Sequence, residues 1–292
     1  MLSRVLLTDM CRLSTMAYRD ANLITDLFEK RHNHRPHTNE ICVLDQCHTS
    51  PELLQSIDLS SETSLIQNDC QAYACRYRDS LTIVFRGTES FRDVLADLNM
   101  VRVRMDLPSI SGDNRPKVHW GFLRQFRTIE DQVRDHITRY LEEDSPTNPK
   151  LKKIIFSGHS LGGALGTLAS VQFGLENPNV PITCITFGSP RVGNSSFANM
   201  FDRCVQHSYR YVNEDDPVPM GPTPLRFRHV KGGQWIEDDM LLTQKPWMRS
   251  VTFIKNLLLS VFGFTHNPIG DHSCSKYLHF ISNHRSISPS MF

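Results

Sequence analysis

The chain has almost no net charge. Its 32 basic residues stand against 31 acidic ones, a formal charge of +1. That balance gives no electrostatic footprint for nucleic acid, and no nucleic-acid partner is expected. No apolar run approaches the roughly 18 residues a helix needs to cross a bilayer. Met1 to Tyr18 carries Arg4, Asp9 and Arg12 where a secretory leader needs a clean apolar stretch, so no leader is expected there. Of the eight cysteines none falls in a C-x-x-C pair; Cys42/Cys47 and Cys70/Cys75 are each five apart. That spacing does not match common zinc and redox sites. Reduced thiols and a cytoplasmic or peripheral-membrane location follow as expectations. The sequence has no internal repeat and no low-complexity tract. The histidines His32, His34 and His37, in the polar loop Lys30 to Glu40, have no cysteine or carboxylate at ligand spacing, so no metal is expected there.

What is present is an alternation of strands and helices over 292 residues, enough for one large α/β domain. Apolar residues at helical spacing predict a helix over Leu2 to Glu29. Gln71 to Arg86 reads as a hairpin that turns at Arg78 to Ser80. Ser90 to Met100 is a short amphipathic helix, Val101 to Lys117 mixed strand and loop, and Phe122 to Leu141 a long amphipathic helix. Ile182 to Phe187 and Tyr209 to Val212 are β-branched or aromatic strands. Trp247 to Phe264 is a second amphipathic segment, read as core, as cover or as a membrane-surface helix; Lys255 and Asn256 interrupt its apolar face and favour the first two. The pattern predicts a mostly parallel sheet flanked by helices. Residues 1–69 are expected to form an N-terminal helical and loop segment packing on a main domain of residues 70–292.

The stretch from Lys153 to Leu165 carries the chemistry. A short apolar strand enters Gly158-His159-Ser160-Leu161-Gly162, and a small-residue helix running to about Glu176 leaves it. Strand, tight turn and helix with serine at the apex are the context a nucleophile elbow requires. The helix N-terminus beside the serine favours a developing oxyanion. Such a serine needs a histidine base and a carboxylate to hold it, in the chain order Ser, acid, His. Glu214, Asp215 and Asp216 follow the strand ending at Val212, and Pro217 favours Asp216 by stiffening the turn beside it. His229, His266, His272, His279 and His284 follow the acid. Spacing leaves His272, on a turn, and His279, among apolar neighbours, as the competing bases.

Further motifs lie in order around the elbow. They are Phe85-Arg86-Gly87-Thr88, Val118-His119-Trp120-Gly121-Phe122, Thr186-Phe187-Gly188-Ser189-Pro190-Arg191-Val192-Gly193, Val212-Asn213-Glu214-Asp215-Asp216-Pro217-Val218-Pro219 and Asp271-His272. With Gly158 to Ala164 they resemble the class 3 lipases, the family of fungal triacylglycerol lipases and related plant phospholipases. The resemblance spans roughly Gln71 to Phe280 and leaves the first seventy residues uncovered. It implies an α/β-hydrolase fold with an amphipathic lid helix, and hydrolysis of lipid carboxylic esters with no metal or organic cofactor. By the same resemblance the triad is Ser160, Asp216 and His272, and the oxyanion donors are Thr88 and the N–H of Leu161. The lid position falls on Ser90 to Leu98, which an ordinary packed helix would fit equally. Lipid esters are the implied substrate partner, with transient contact to a membrane or droplet surface; the oligomeric state is left open. The long segment between Asp216 and His272 departs from the secreted fungal pattern.

Overall fold

The structure is a computed structural model. It describes residues 4–18, 55–57, 72–77, 80–87, 101–107, 115–142, 153–213, 216–237, 240–242 and 268–283. Thr88, Glu214, Asp215, His266, His284, the histidine-bearing loop Lys30 to Glu40, the helix assigned to Ser90–Met100 and the segment Trp247 to Phe264 lie outside the described residues.

A run of apolar residues on both sides of a strand needs cover on both faces of its sheet. Strand β6 (Lys153–His159) has such a run in Ile154, Ile155 and Phe156. Around it lie β1 (Gln55–Ile57), β2 (Ala72–Tyr77), β3 (Ser80–Phe85), β7 (Ile182–Phe187), β8 (His207–Asn213), β9 (Gly233–Glu237) and β10 (Met240–Leu242). The eight strands take the order β1-β2-β3-β6-β7-β8-β9-β10. The five from β3 to β9 in that order run parallel, and antiparallel partners close each edge. A separate ribbon pairs β4 (Arg102–Arg104) with β5 (Lys117–His119).

Side-chain alternation divides the core in two. Ile154, Phe156, Ile182 and Cys184 face α2 (Trp120–Glu142), α3 (Leu161–Glu176) and α4 (Ser195–Cys204). Ile155, Ile185 and Phe187 face α1 (Arg4–Met16) and α6 (Cys274–Asn283), which the short helix α5 (Pro268–Asp271) precedes. The result is a helix-sheet-helix sandwich with a mostly parallel sheet, the α/β-hydrolase fold that the family resemblance implies. Helix α3 is buried from Leu161 through Gly174. A helix apolar all round is a core helix, and α3 lies between β6, β7, α2 and α4.

Periodicity predicts helix from Leu2 through Glu29, whereas α1 stops at Met16. Thr15 turns its hydroxyl back to the Cys11 carbonyl at 2.9 Å, and the Tyr18 N–H bonds the Thr15 carbonyl at 3.3 Å, a three-residue closure that tightens the last turn. Tyr18 leaves the helix axis here, with consequences for the site below. No described helix is long and apolar enough to cross a membrane.

Candidate active site

The carboxyl ends of parallel strands open on one edge of an α/β sheet, where such folds bind their ligands. Ser160 follows β6 directly and Asp216 follows β8. Ser160 has φ 57 and ψ −125, the only positive φ outside glycine among the described residues. A backbone held there costs about 1–3 kcal/mol and persists only where its surroundings fix it. Those surroundings are visible. The Ser160 N–H bonds the Phe187 carbonyl at 2.9 Å, and its carbonyl accepts from Gly163 at 3.0 Å. A Cβ on Gly162 would lie 2.1 Å from the Phe85 carbonyl oxygen, and one on Gly158 would lie 2.4 Å from the Gly162 backbone. The elbow therefore closes only because both flanking residues lack side chains. Ser160 occupies the N-cap of α3, yet its hydroxyl makes no capping bond. The hydroxyl is left for other work, at the end of a helix whose first N–H groups have no intrahelical acceptor. The first of these belongs to Leu161.

Asp216 is fully buried. Its Oδ1 accepts from the Val218 N–H at 2.9 Å, which fixes the turn after Pro217. The His272 Nδ1–H donates to both carboxylate oxygens, at 3.0 and 2.9 Å. The Tyr277 hydroxyl donates to Oδ2 at 2.6 Å. Burial first, then the adjacent carboxylate, push the Tyr277 phenol well above its ordinary value, so it stays a donor. The Asn213 N–H bonds the Tyr277 oxygen at 2.9 Å and ties α6 to the end of β8. Gly188, with φ +59, passes under the pair. A Cβ there would come within 2.8 Å of Asp216 Oδ2 and 3.0 Å of His272 Nδ1, so only glycine allows this approach.

The structure thus joins Asp216 to His272 and sets them beside the Phe187–Gly188 turn that also holds the Ser160 N–H. His279 lies exposed on α6, and the His229 Nε2–H donates to the Pro219 carbonyl, 2.8 Å away; neither reaches Asp216. Thr88, the implied oxyanion partner of Leu161, lies outside the described residues.

Three supporting residues were not singled out by sequence. One is Tyr277; the others are Tyr18 and His159. His159 Nε2 lies 2.7 Å from the His272 carbonyl oxygen, and Nδ1 lies 2.7 Å from the Tyr18 hydroxyl. A carbonyl can only accept, so Nε2 carries the proton and Nδ1 receives the Tyr18 O–H. Burial, then the neighbouring His272, hold the His159 pKa well below its usual value, which keeps the ring neutral. Tyr18 also closes over Gly87: a Cβ there would meet its hydroxyl at 2.1 Å. A chain of bonds therefore runs from the end of α1 to the backbone of His272.

The depressed pKa has a consequence for stability. Folded His159 refuses a proton that the unfolded chain accepts near pH 6.5. Its contribution is complete above about pH 6.5 and falls as pH drops below that, by up to roughly 1.4 kcal/mol per pH unit. Urea midpoints measured between neutral and mildly acid pH should fall less steeply for His159→Gln than for the wild type. Parallel slopes would show that His159 titrates alike folded and unfolded.

Sheet order, strained elbow and edge position together define an α/β-hydrolase. The sequence profile of the family described as "Lipase (class 3)" matches residues 82–225. A secreted mono- and diacylglycerol lipase of Fusarium solani is 32% identical over 161 residues, covering 55% of this chain and 45% of its own. The chloroplastic phospholipase A(1) DAD1 of Arabidopsis thaliana is 31% identical over 229 residues, covering 70% of this chain and 49% of its own. A solved triacylglycerol lipase, reported to have a serine protease triad at its catalytic centre, is 31% identical, with a TM-score of 0.50 and coverage of 64% of this chain and 68% of its own. The chain belongs to the class 3 lipase family. It spans about half the length of the curated relatives it matches.

Proposed function

We propose that the chain is a serine hydrolase that cleaves carboxylic esters of lipids through an acyl-enzyme. The observation that carries this reading is the buried Asp216–His272 pair beside the strained Ser160 elbow. His272 takes the Ser160 proton through Nε2 while Asp216 holds Nδ1 protonated and stabilises the imidazolium. Ser160 Oγ attacks the ester carbonyl. The oxyanion that forms is held by the Leu161 N–H and by Thr88, and its collapse expels the alcohol, to which His272 returns the proton. Water activated by the same histidine then releases the acid and restores Ser160. Every step uses side chains and backbone of this chain, so the chemistry calls for no metal or organic cofactor.

Ser160 is only 1% exposed, which supports a cover that must move before an ester can reach it. The amphipathic stretch Ser90 to Leu98 is the segment we assign to that role. We assign the protein a cytoplasmic or peripheral-membrane setting, with Cys11, Cys184, Cys204 and Cys274 as free thiols. A phospholipase reading on the same triad draws support from the Arabidopsis relative, whose match covers the larger share of this chain.

A fluorophosphonate probe followed by a substrate panel tests the proposal. Covalent labelling of Ser160, with hydrolysis of a short-chain p-nitrophenyl ester, is the expected result. Failure of the folded protein to label or to turn over any ester would leave a lipid-binding module without catalysis. Emulsified triacylglycerol against phosphatidylcholine micelles then separates the two lipid readings.

A further inference from the structure

Among the described residues the large apolar side chains that stand exposed are Val101 at 53%, Trp120 at 46% and Leu225 at 92%. They come from three separate stretches of chain, and the fold brings these stretches together. The Trp120 N–H bonds the Val101 carbonyl at 3.0 Å. Arg102 donates to the Arg226 carbonyl at 2.8 Å and lies 5.8 Å over the Phe227 ring. The His119 and Phe227 rings are 6.0 Å apart. Leu225 is presented by a fixed support, since Arg191 donates to the Met220 and Pro222 carbonyls just before it. That support continues the turn that begins at Asp216.

Along the stretches that carry this patch the charge has one sign. Residues 101–105, 117–124 and 223–228 contain Arg102, Arg104, Lys117, Arg124, Arg226 and Arg228, and no Asp or Glu. For a chain of net charge +1 this is a marked concentration. The next carboxylates along these stretches already face arginines: Asp106 lies 3.6 Å from Arg115, and Glu130 pairs with Arg127 and with Arg134 at 2.6 Å. The Arg124 guanidinium lies 5.3 Å over the exposed Trp120 ring. Indole flanked by guanidinium suits the headgroup level of a bilayer, where the ring meets acyl chains and the cation meets phosphate or carboxylate. A protein partner would be served by apolar contact of either charge, but the arginine ring fits an anionic surface.

We infer that the Val101–Trp120–Leu225 face, ringed by Arg102, Arg124 and Arg226, docks the protein on an anionic lipid surface. The inference rests on the reading of the chain as a lipid-ester hydrolase, because it gives that site its approach to substrate. Docking of this kind is independent of any movement over Ser160. It orients the protein so that the loop carrying Asp216 lies near the bilayer, and it is weakened by salt.

The test uses the full chain with Ser160→Ala, so that vesicles stay intact, and sedimentation with two vesicle types. These are phosphatidylcholine alone and phosphatidylcholine mixed with phosphatidylserine. Tighter binding to the mixed vesicles, lost in high salt, is expected. Replacing Arg102, Arg124 and Arg226 together by Gln should weaken it by about five-fold per arginine, roughly 100-fold in all. Trp120→Ala with Leu225→Ser, two exposed positions that leave the core intact, should weaken binding to both vesicle types. Equal binding to the two vesicle types, no binding to either, or full binding by both variants would each overturn the inference. Hydrolysis of a soluble ester by the wild-type chain reports separately on the site. Its absence would remove the catalytic reading, while the vesicle comparison would still decide the docking face.

Discussion

Ser160→Ala should lower turnover of a soluble p-nitrophenyl ester by about 10⁴- to 10⁶-fold while leaving the fold as stable as before. The stability half of this expectation comes from the local geometry. The serine hydroxyl caps nothing, so its removal costs no helix-capping bond. The strain at φ 57 belongs to the backbone and to Cβ, which alanine shares, so the cost of the elbow is unchanged. The catalytic half follows from the loss of the atom proposed to form the acyl-enzyme. Residual hydrolysis, from water attacking an ester held by the oxyanion donors, sets the floor of the effect. Thermal unfolding and ester turnover on the same preparation check both halves. A variant that keeps most of its activity would show that another group is the nucleophile, and the Asp216–His272 pair would then need a different partner.

The elements that set up this site were legible to different degrees. Strand Ile182–Phe187 and helix Leu161–Glu176 fall where the residue pattern puts them. Both are dictated locally, one by a β-branched run and the other by small residues launched from a fixed turn. The edge on which Ser160 and Asp216 share their position follows from alternating strands and helices. The base was not legible in that way. His272 sits on the turn before α6 and His279 within that helix, and nothing in their spacing tells which reaches Asp216. The decision is made by a contact that spans 56 positions, between a loop after β8 and the turn before α6. Motif resemblance pairs Asp216 with His272, and in the structure His272 is buried against Asp216, whereas His279 stands exposed.

The supports of His272 were less legible still. His159 stands inside the elbow motif, where the residue before the serine carries no fixed requirement. Its partners are 113 and 141 positions away, on opposite sides in sequence. Tyr18 lies in the first seventy residues, which no motif covers, and its placement depends on α1 ending at Met16 and packing on the sheet beside α6. Tyr277 is one of the apolar neighbours of His279, and its spacing does not set it apart. Its hydroxyl matters because full burial leaves it two polar neighbours, the Asn213 N–H and the Asp216 carboxylate. A tyrosine in an apolar helix face that must satisfy its oxygen is the one signal that could have marked it.

Asp216→Asn should lower kcat by about 10⁴-fold with little change in fold, and the surrounding donors say why. The asparagine must place one oxygen and one NH2 where two carboxylate oxygens stood. At the Oδ1 position the Val218 N–H points in at 2.9 Å, so an NH2 there would face a backbone donor that cannot turn away. The amide oxygen therefore takes that position. The NH2 takes the position of Oδ2, where it faces the Tyr277 hydroxyl and His272 Nδ1. Tyr277 can rotate its proton and accept. Nδ1 of His272 must then accept as well, which moves the imidazole proton to Nε2, the nitrogen that has to take the proton from Ser160. The variant is shaped like the wild type and holds the wrong tautomer, so its defect should appear in kcat far more than in thermal midpoint. A loss below about ten-fold would mean that Asp216 only positions the ring and that its charge contributes little to the imidazolium.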